Sequence, residues 1–307
     1  MQDVIIIGAG PAGLTAALYA GRYRLRTLLL EKSMVGGQIV LSPTIENFPG
    51  FPGGIKTSEL IERLAQQVKD VGVNIEYNEV VEITLKEDNA PAIYTVKTND
   101  VIYKTKTLIV ATGAKAKELG VLGERRFVGK GVSYCATCDA PLFRDKEVVV
   151  VGGGDRAVEE ALYLCEYARK VKIIHRRKDL RAAQILQEKA LRNPRIELVL
   201  DSVIEEILGE ERVRGVRVRN VLTKEILELS CQGIFIFVGI IPQTSFLRNL
   251  LQLDDNGFII TDQSMQASRL GVFACGDCRA KSLYQVINAC GDAAQAAYSA
   301  HRYILGG

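Results

Sequence analysis

Two cysteines stand two residues apart in Cys135-Ala-Thr-Cys138, and Asp139 follows at once. Thiols at that spacing can close into a disulfide and carry two electrons. Exchange runs through the thiolate, and reduction of a disulfide consumes protons. An adjacent carboxyl whose pKa is raised by burial can therefore serve as the acid. Plainer readings stand beside this one. The cysteines can be two small buried hydrophobes or half of a zinc site, and Asp139 can be a helix N-cap. A zinc site needs four ligands, and His175 and His301 are the only histidines, so no metal centre is expected.

A two-electron carrier needs a source, and the sequence around the motif supplies two candidate cofactor sites. Asp3–Ile7 reads as a buried parallel strand, Gly8-Ala-Gly10-Pro11-Ala12-Gly13 follows, and Leu14–Arg22 has helical periodicity. Thr27–Glu31 is a second strand ending in an acid. Gly8, Gly10 and Gly13 serve the tight turn, the close approach of backbone to a pyrophosphate, and helix–strand packing. The helix N-terminus offers free N–H groups to phosphate. Glu31 is placed to accept hydrogen bonds from a ribose and disfavours a 2′-phosphate, so this half should take FAD or NAD.

The pattern recurs in Glu147–Val151, Gly152-Gly153-Gly154-Asp155-Arg156-Ala157, a helix over Val158–Tyr167 and a strand over Lys170–Ile174. Here no acid closes the second strand; His175, Arg176 and Arg177 stand instead, with Arg181 four residues on. Such cations can grip an adenosine 2′-phosphate, Arg through a bidentate fork, and Arg181 would share the face of Arg177 if the segment is helical. The plain reading is a solvated basic turn at a helix start. The pairing predicts FAD in the first unit and NADPH in the second.

A chain of 307 residues, 48% of them hydrophobic, suggests about two globular domains. A formal charge of +3 points away from nucleic acid. No stretch approaches the ~20 apolar residues of a membrane helix, and Ile234–Ile241 suits only a buried strand. No signal peptide is legible, and seven cysteines fit a reducing cytoplasm with one active pair. Leu108–Val110 reads as a strand running into Ala111-Thr112-Gly113, and Gly271–Ala274 as one running into Gly276-Asp277, where a carboxylate can meet a ligand. Val286–Ile304 reads as an Ala-rich helix.

In order, GAGPAG, Gly36-Gly37-Gln38, Glu46-Asn47-Phe48-Pro49-Gly50, ATG, CATCD, GGG, HRR, Val238–Pro242 and Gly276-Asp277 resemble bacterial low-molecular-weight thioredoxin reductase over essentially the whole chain. The resemblance implies an α/β fold of two Rossmann-like dinucleotide-binding domains of three-layer ββα type. An FAD domain over 1–113 and 244–307 would be interrupted by an NADPH domain over 114–243, with hinges near Lys115–Glu118 and Gln243–Ser245. It implies FAD contacts by Gly37, Gln38, Asn47, Val80, Ala111, Thr112, Gly113, Gly276, Asp277, Gln285 and Val286. It implies NADPH contacts by Gly152, Gly154, Asp155, Arg156, Ala157, Glu159 and Gly239, beside the basic set. It also implies a homodimer that reduces thioredoxin, with Lys130 and Phe143 helping to dock it, Cys138 nearer the flavin and Cys135 attacking the partner disulfide.

Some positions depart from that pattern. Arg156 stands where the family has Ser or Thr, Tyr284 where an Arg precedes the flavin-contacting Gln, and Pro141-Leu142 within an aromatic stretch. Cys275 and Cys278 form a second C-x-x-C, read either as small packed hydrophobes or as an auxiliary dithiol. Rival functions are a same-fold disulfide reductase fed by ferredoxin or a deazaflavin, and a dithiol oxidase that passes electrons to oxygen.

Overall fold

Val4, Ile5 and Ile6 are completely buried, as an unbroken β-branched run must be when its strand is covered on both faces. The computed structural model describes residues 1–307 except 42, 43, 46, 87–91 and 307, and the side chains of 41, 44, 86, 137 and 138 lie outside it. Glu46 of the ENFPG motif thus falls outside the described residues. The chain divides into two compact units, Met1–Lys115 with Ile241–Gly307, and Ala116–Ile240. The crossing strands Ala114–Ala116 and Ile240–Pro242 pair with each other, so both transitions fall in one two-stranded ribbon.

In the first unit, parallel strands run in the order Asn74–Tyr77, Thr27–Glu31, Gln2–Ile7 and Ile102–Val110. The last of these pairs twice along its length. Its early residues meet the antiparallel strand Ile93–Thr98, and Leu108–Val110 meets Val272–Ala274 in parallel. Helices Pro11–Arg22, Thr57–Asp70 and Val286–Ile304 accompany the sheet. Alanines 16, 17 and 20 and Ala293, 296, 297 and 300 are all buried in one cluster, because small side chains let the first and last of these helices approach closely.

The second unit repeats the plan. Its parallel sheet runs Val132–Ser133, Gly233–Ile236, Glu147–Val151, Lys170–Ile174, Ile196–Val199. Helices Asp155–Leu164 and Gln184–Arg192 contribute to one core and the antiparallel strands Ser202–Gly209 and Val213–Asn220 to another. Two local expectations are corrected. Ile234–Ile241 is two strands, broken at Gly239, whose φ of +123° suits glycine. The basic run after Ile174 is irregular, and the next helix begins only at Gln184, so Arg177 and Arg181 do not share a helical face.

Candidate functional site

In the first unit the strand Gln2–Ile7 delivers the chain into Gly8, and a Cβ there would lie 2.5 Å from the Ala111 carbonyl oxygen. A Cβ on Gly13 would collide with the Gly8 carbonyl oxygen, so the helix packs directly on the loop. Gly13→Ala must force that backbone apart, and is expected to cost about 1–3 kcal/mol, read as a fall in Tm. Gly37 backs onto Gly10, whose Cα would be 3.2 Å from a Cβ added to Gly37, and Gly36 N–H donates to the Ala9 carbonyl at 2.9 Å. The helix Pro11–Arg22 has Gly10 at its N-cap and no side-chain cap, which leaves its first N–H groups to an anion.

Glu31 is buried. Its Oε2 accepts Ala9 N–H at 2.7 Å and its Oε1 accepts Ser33 N–H at 3.0 Å, so it braces the glycine loop. Asn47 and Gln285 lie 238 residues apart in sequence, yet Asn47 Nδ2 donates to Gln285 Oε1 at 3.0 Å. Gln38 is exposed on the short 3-10 helix Gly37–Leu41, and Val80 is half-buried at the start of Val80–Lys86. Ala111, Thr112 and Gly113 follow the strand Ile102–Val110, and the Thr112 carbonyl accepts Gln243 Nε2 at 2.9 Å. Gly276 has φ +72°, and a Cβ there would meet the Ala12 Cβ at 2.8 Å, so these turns pack together. Val286 opens the helix Val286–Ile304.

Beneath the Gly276-Asp277 turn lies a charge network that the motifs did not reveal. Lys281 Nζ is 3.2 Å from Asp277 Oδ1 and 3.3 Å from Asp292 Oδ2, and Arg279 is 3.3 Å from Asp292 Oδ1. Asp292 Oδ2 also accepts Gly276 N–H at 3.3 Å. An acid inside an otherwise Ala-rich buried helix was the available signal. Cys275 and Cys278 are completely buried free thiols. Cys278 Sγ donates to the carbonyls of Val110 at 3.3 Å and Cys275 at 3.2 Å, and burial pushes its thiol up to about 11. Buried thiols held in this way support the reading as packed hydrophobes over that of an auxiliary dithiol.

In the second unit Gly152 would bring a Cβ within 2.5 Å of the Phe237 carbonyl oxygen, while Gly154 and Gly239 have open space on that side. Helix Asp155–Leu164 again starts from a glycine N-cap without a side-chain cap. Asp155 Oδ1 accepts Ala183 N–H at 2.6 Å, which ties the loop after the basic run to the helix start. Ala157 is buried and Glu159 exposed. Arg156 rests its guanidinium over the Phe237 ring at 5.4 Å, with Glu160 at 3.9 Å, so it does not fill the glycine loop. Arg176, Arg177 and Arg181 are exposed.

His175 is not part of that exposed set. It is 5% exposed, and its ring lies where a Cβ on Gly153 would stand. Burial first, then Arg181, Arg177 and Arg176, hold its pKa below the usual histidine value. His175 is thus a neutral wedge under the glycine loop, a correction to its expected place among the phosphate-gripping cations.

Cys135 is disulfide-bonded, and it forms the N-cap of the one-turn helix Ala136–Asp139. The side chain of Cys138, the expected partner, lies outside the described atoms. Asp139 makes no side-chain cap to the 3-10 turn Ala140–Phe143 that it precedes, so the helix-cap reading loses its bond. Burial raises its carboxyl pKa, and a hydrogen bond from Ser133 partly lowers it again. The approach to the motif is braced by buried Glu124. Its carboxylate accepts Leu119 N–H at 2.9 Å, Gly120 N–H at 2.7 Å and the Tyr134 hydroxyl at 2.9 Å.

That raised carboxyl has a consequence for stability. An acid with a folded pKa above its unfolded value costs stability once the pH exceeds the unfolded value of 3.8. The cost grows as pH climbs through the folded pKa and is then constant. Asp139→Asn removes it, so the variant should melt above the parent at pH 8 and level with it near pH 3, as thermal melts would show.

Lys130 is exposed, as a docking residue must be. Phe143 is not: it is 8% exposed and packs edge-on against Phe235 with ring centres 5.1 Å apart. Its expected place at a partner surface is corrected, and its neighbour Leu142, 62% exposed, holds the surface position instead.

Residues 2–294 match the family described as pyridine nucleotide-disulphide oxidoreductase. The chain is 46% identical over 310 residues to a thioredoxin reductase of Peptoclostridium acidaminophilum, covering 99% of this chain and 97% of that one. It is 42% identical over 305 residues to a thioredoxin reductase of Listeria monocytogenes, covering 99% and 94%. The crystal structure of thioredoxin reductase from Streptococcus pyogenes superposes with a TM-score of 0.85 at 42% identity, covering 100% of this chain and 99% of that one.

Proposed function

The chain belongs to the pyridine nucleotide-disulphide oxidoreductase family, and we propose that it is a thioredoxin-disulfide reductase, passing electrons from NADPH to FAD, to the Cys135–Cys138 pair and then to thioredoxin. The observation that carries the reading is the disulfide at Cys135 beside a half-buried carboxyl with a raised pKa, in a unit that also holds the arginine-flanked glycine loop. The names of the similar proteins point the same way.

FAD, when bound, couples a two-electron hydride donor to a disulfide. The first unit fits it: the open cradle at Gly8–Gly13 with its uncapped helix suits a pyrophosphate, and Glu31 suits a ribose. Gln38, Asn47, Thr112, Gly113, Asp277 and Gln285 complete that proposed site. In the second unit Gly152 lets the loop pack against Phe237, Gly154 leaves room for the NADPH pyrophosphate, and Arg176, Arg177 and Arg181 supply cations for its 2′-phosphate. His175 holds that loop's shape from beneath.

At the redox centre, reduction of the disulfide releases two sulfurs. Asp139, its pKa raised by burial, delivers its proton to a leaving thiolate. Cys135, as thiolate, then attacks a disulfide of thioredoxin, and Cys138 resolves the mixed disulfide, so that two electrons leave as a thioredoxin dithiol. Lys130 and Leu142 offer a cation and an apolar contact to that partner. The reading includes a homodimer, and a swivel at the paired strands Ala114–Ala116 and Ile240–Pro242. No helix among the described residues is long and apolar enough to cross a membrane. The five free cysteines among the described residues suit a reducing compartment, and the cytoplasm is the one proposed.

Steady-state NADPH oxidation with and without thioredoxin tests the reading. Thioredoxin-dependent turnover is expected. Absence of any NADPH reaction would favour another donor, and peroxide formation without thioredoxin reduction would favour a dithiol oxidase.

A further inference from the structure

We propose that Asp155 is the positioning residue of Arg181: its carboxylate latches the basic segment onto the glycine loop and so sets the preference for a 2′-phosphate. The inference deepens the reading above and rests on its assignment of NADPH to this unit.

Residues 175–183 join the strand Lys170–Ile174 to the helix Gln184–Arg192 with no helix or strand of their own. Such a segment presents a cation in one place only if its backbone is tied down beforehand. Its start and its end meet the same glycine. The His175 ring lies where a Gly153 Cβ would stand, and the Gly153 carbonyl accepts Arg181 N–H at 2.6 Å and Ala182 N–H at 3.1 Å. The next N–H along the chain, that of Ala183, goes to Asp155 Oδ1 at 2.6 Å. Leu180 and Ala182 flank Arg181 and are buried, while Arg181 is exposed. Three successive N–H groups thus stitch the segment to the fingerprint, and Arg181 carries the first of them.

The acceptor of the first two is a main-chain carbonyl, which no substitution removes. Asp155 is the one side chain among the three contacts. It is also the first residue of the helix Asp155–Leu164, the helix start that the reading above sets against a pyrophosphate. A carboxylate there repels phosphate, so as a nucleotide contact it would oppose binding. As acceptor for Ala183 N–H it fixes the end of the segment two residues beyond Arg181. Without it the segment spends less time in the arrangement that presents Arg181, and affinity for a 2′-phosphate falls by that fraction. The two roles differ in sign. Loss of a repelling charge tightens every phosphate ligand, whereas loss of a latch weakens only ligands that carry the 2′-phosphate.

Calorimetric binding of NADP⁺ and NAD⁺ to the FAD-loaded protein separates them. Asp155→Ala is expected to weaken NADP⁺ by about 5–10-fold, the size of one lost hydrogen bond, and to leave NAD⁺ unchanged or tighter. Asp155→Asn keeps an acceptor oxygen without the charge, and should hold the ratio of the two affinities within about twofold of the parent. With Arg181→Ala already in place, Asp155→Ala should change that ratio by less than about twofold, because the cation it positions is gone. An unchanged ratio in Asp155→Ala, the same loss with Asn as with Ala, or an undiminished effect in the Arg181→Ala background overturns the latch and leaves the NADPH assignment standing. A parent that binds NAD⁺ as tightly as NADP⁺ overturns the NADPH assignment, and the latch with it.

Discussion

Cys135→Ser is expected to lower kcat for thioredoxin reduction by about 10³-fold or more, because no other group can supply the attacking sulfur. The flavin should still be reduced by NADPH at close to the parental rate, since neither cofactor loop is touched. Cys135 N–H accepts no burden in this change: it donates to Ser133 Oγ through the backbone, which serine keeps. Loss of both half-reactions would mean that the substitution disturbed the fold, and retained thioredoxin reduction would place the exchange elsewhere. The five free cysteines among the described residues give little room for that second result. Cys165, Cys231, Cys275 and Cys278 are buried, and burial raises the pKa of Cys290 as well as theirs. A raised pKa starves each of thiolate.

The second large effect concerns the donor. Arg176→Ala with Arg177→Ala is expected to lower kcat/KM for NADPH by about 10²–10⁴-fold, each guanidinium contributing one charge-assisted contact of about 1.5–3 kcal/mol. The value for NADH should hold, because it lacks the 2′-phosphate. Both residues are exposed and lie outside any helix, so the change should not move Tm appreciably. Parallel losses with both nucleotides would assign the two arginines to a contact other than the 2′-phosphate, and no loss with either would make the run a solvated turn. Measuring the two nucleotides side by side separates these cases. His175→Ala would not serve as the same test, since the ring supports Gly153 rather than facing outward.

How far the sequence could be read depends on the range over which each feature is encoded. The two glycine fingerprints are local. Strand, loop, helix and second strand follow within about thirty residues, each with its own periodicity, and the strands Thr27–Glu31, Glu147–Val151 and Lys170–Ile174 have the expected limits. Pairings across long separations were not legible. Nothing in Val272–Ala274 announces that it lies beside Leu108–Val110, and the Asn47–Gln285 hydrogen bond joins opposite ends of one unit. Orientation within a motif was also hidden. Composition groups His175 with the arginines that follow it, but an imidazole one residue past the end of a buried strand turns inward against Gly153. Phe143 went the same way, since a ring beside Gly233 fills the space that the glycine leaves.

The proposed acid role of Asp139 shows the same division. Its place after Cys138 is a sequence fact, while the burial that raises its pKa is not, and the strand Val132–Ser133 before the motif pairs with residues about a hundred positions later. The Glu124 brace is similar: a buried carboxylate gathers two loop N–H groups and the Tyr134 hydroxyl, and no spacing rule marks it.

The central claim is that the Cys135 disulfide receives electrons through bound FAD. Anaerobic titration of the FAD-loaded protein with NADPH, followed by flavin absorbance and thiol count, tests it most directly. The account predicts that the parent takes up about two equivalents per chain, one for the flavin and one for the disulfide, and gains two thiols, whereas Cys135→Ser takes up about one and gains none. A parent that bleaches fully with one equivalent and gains no thiols would contradict it.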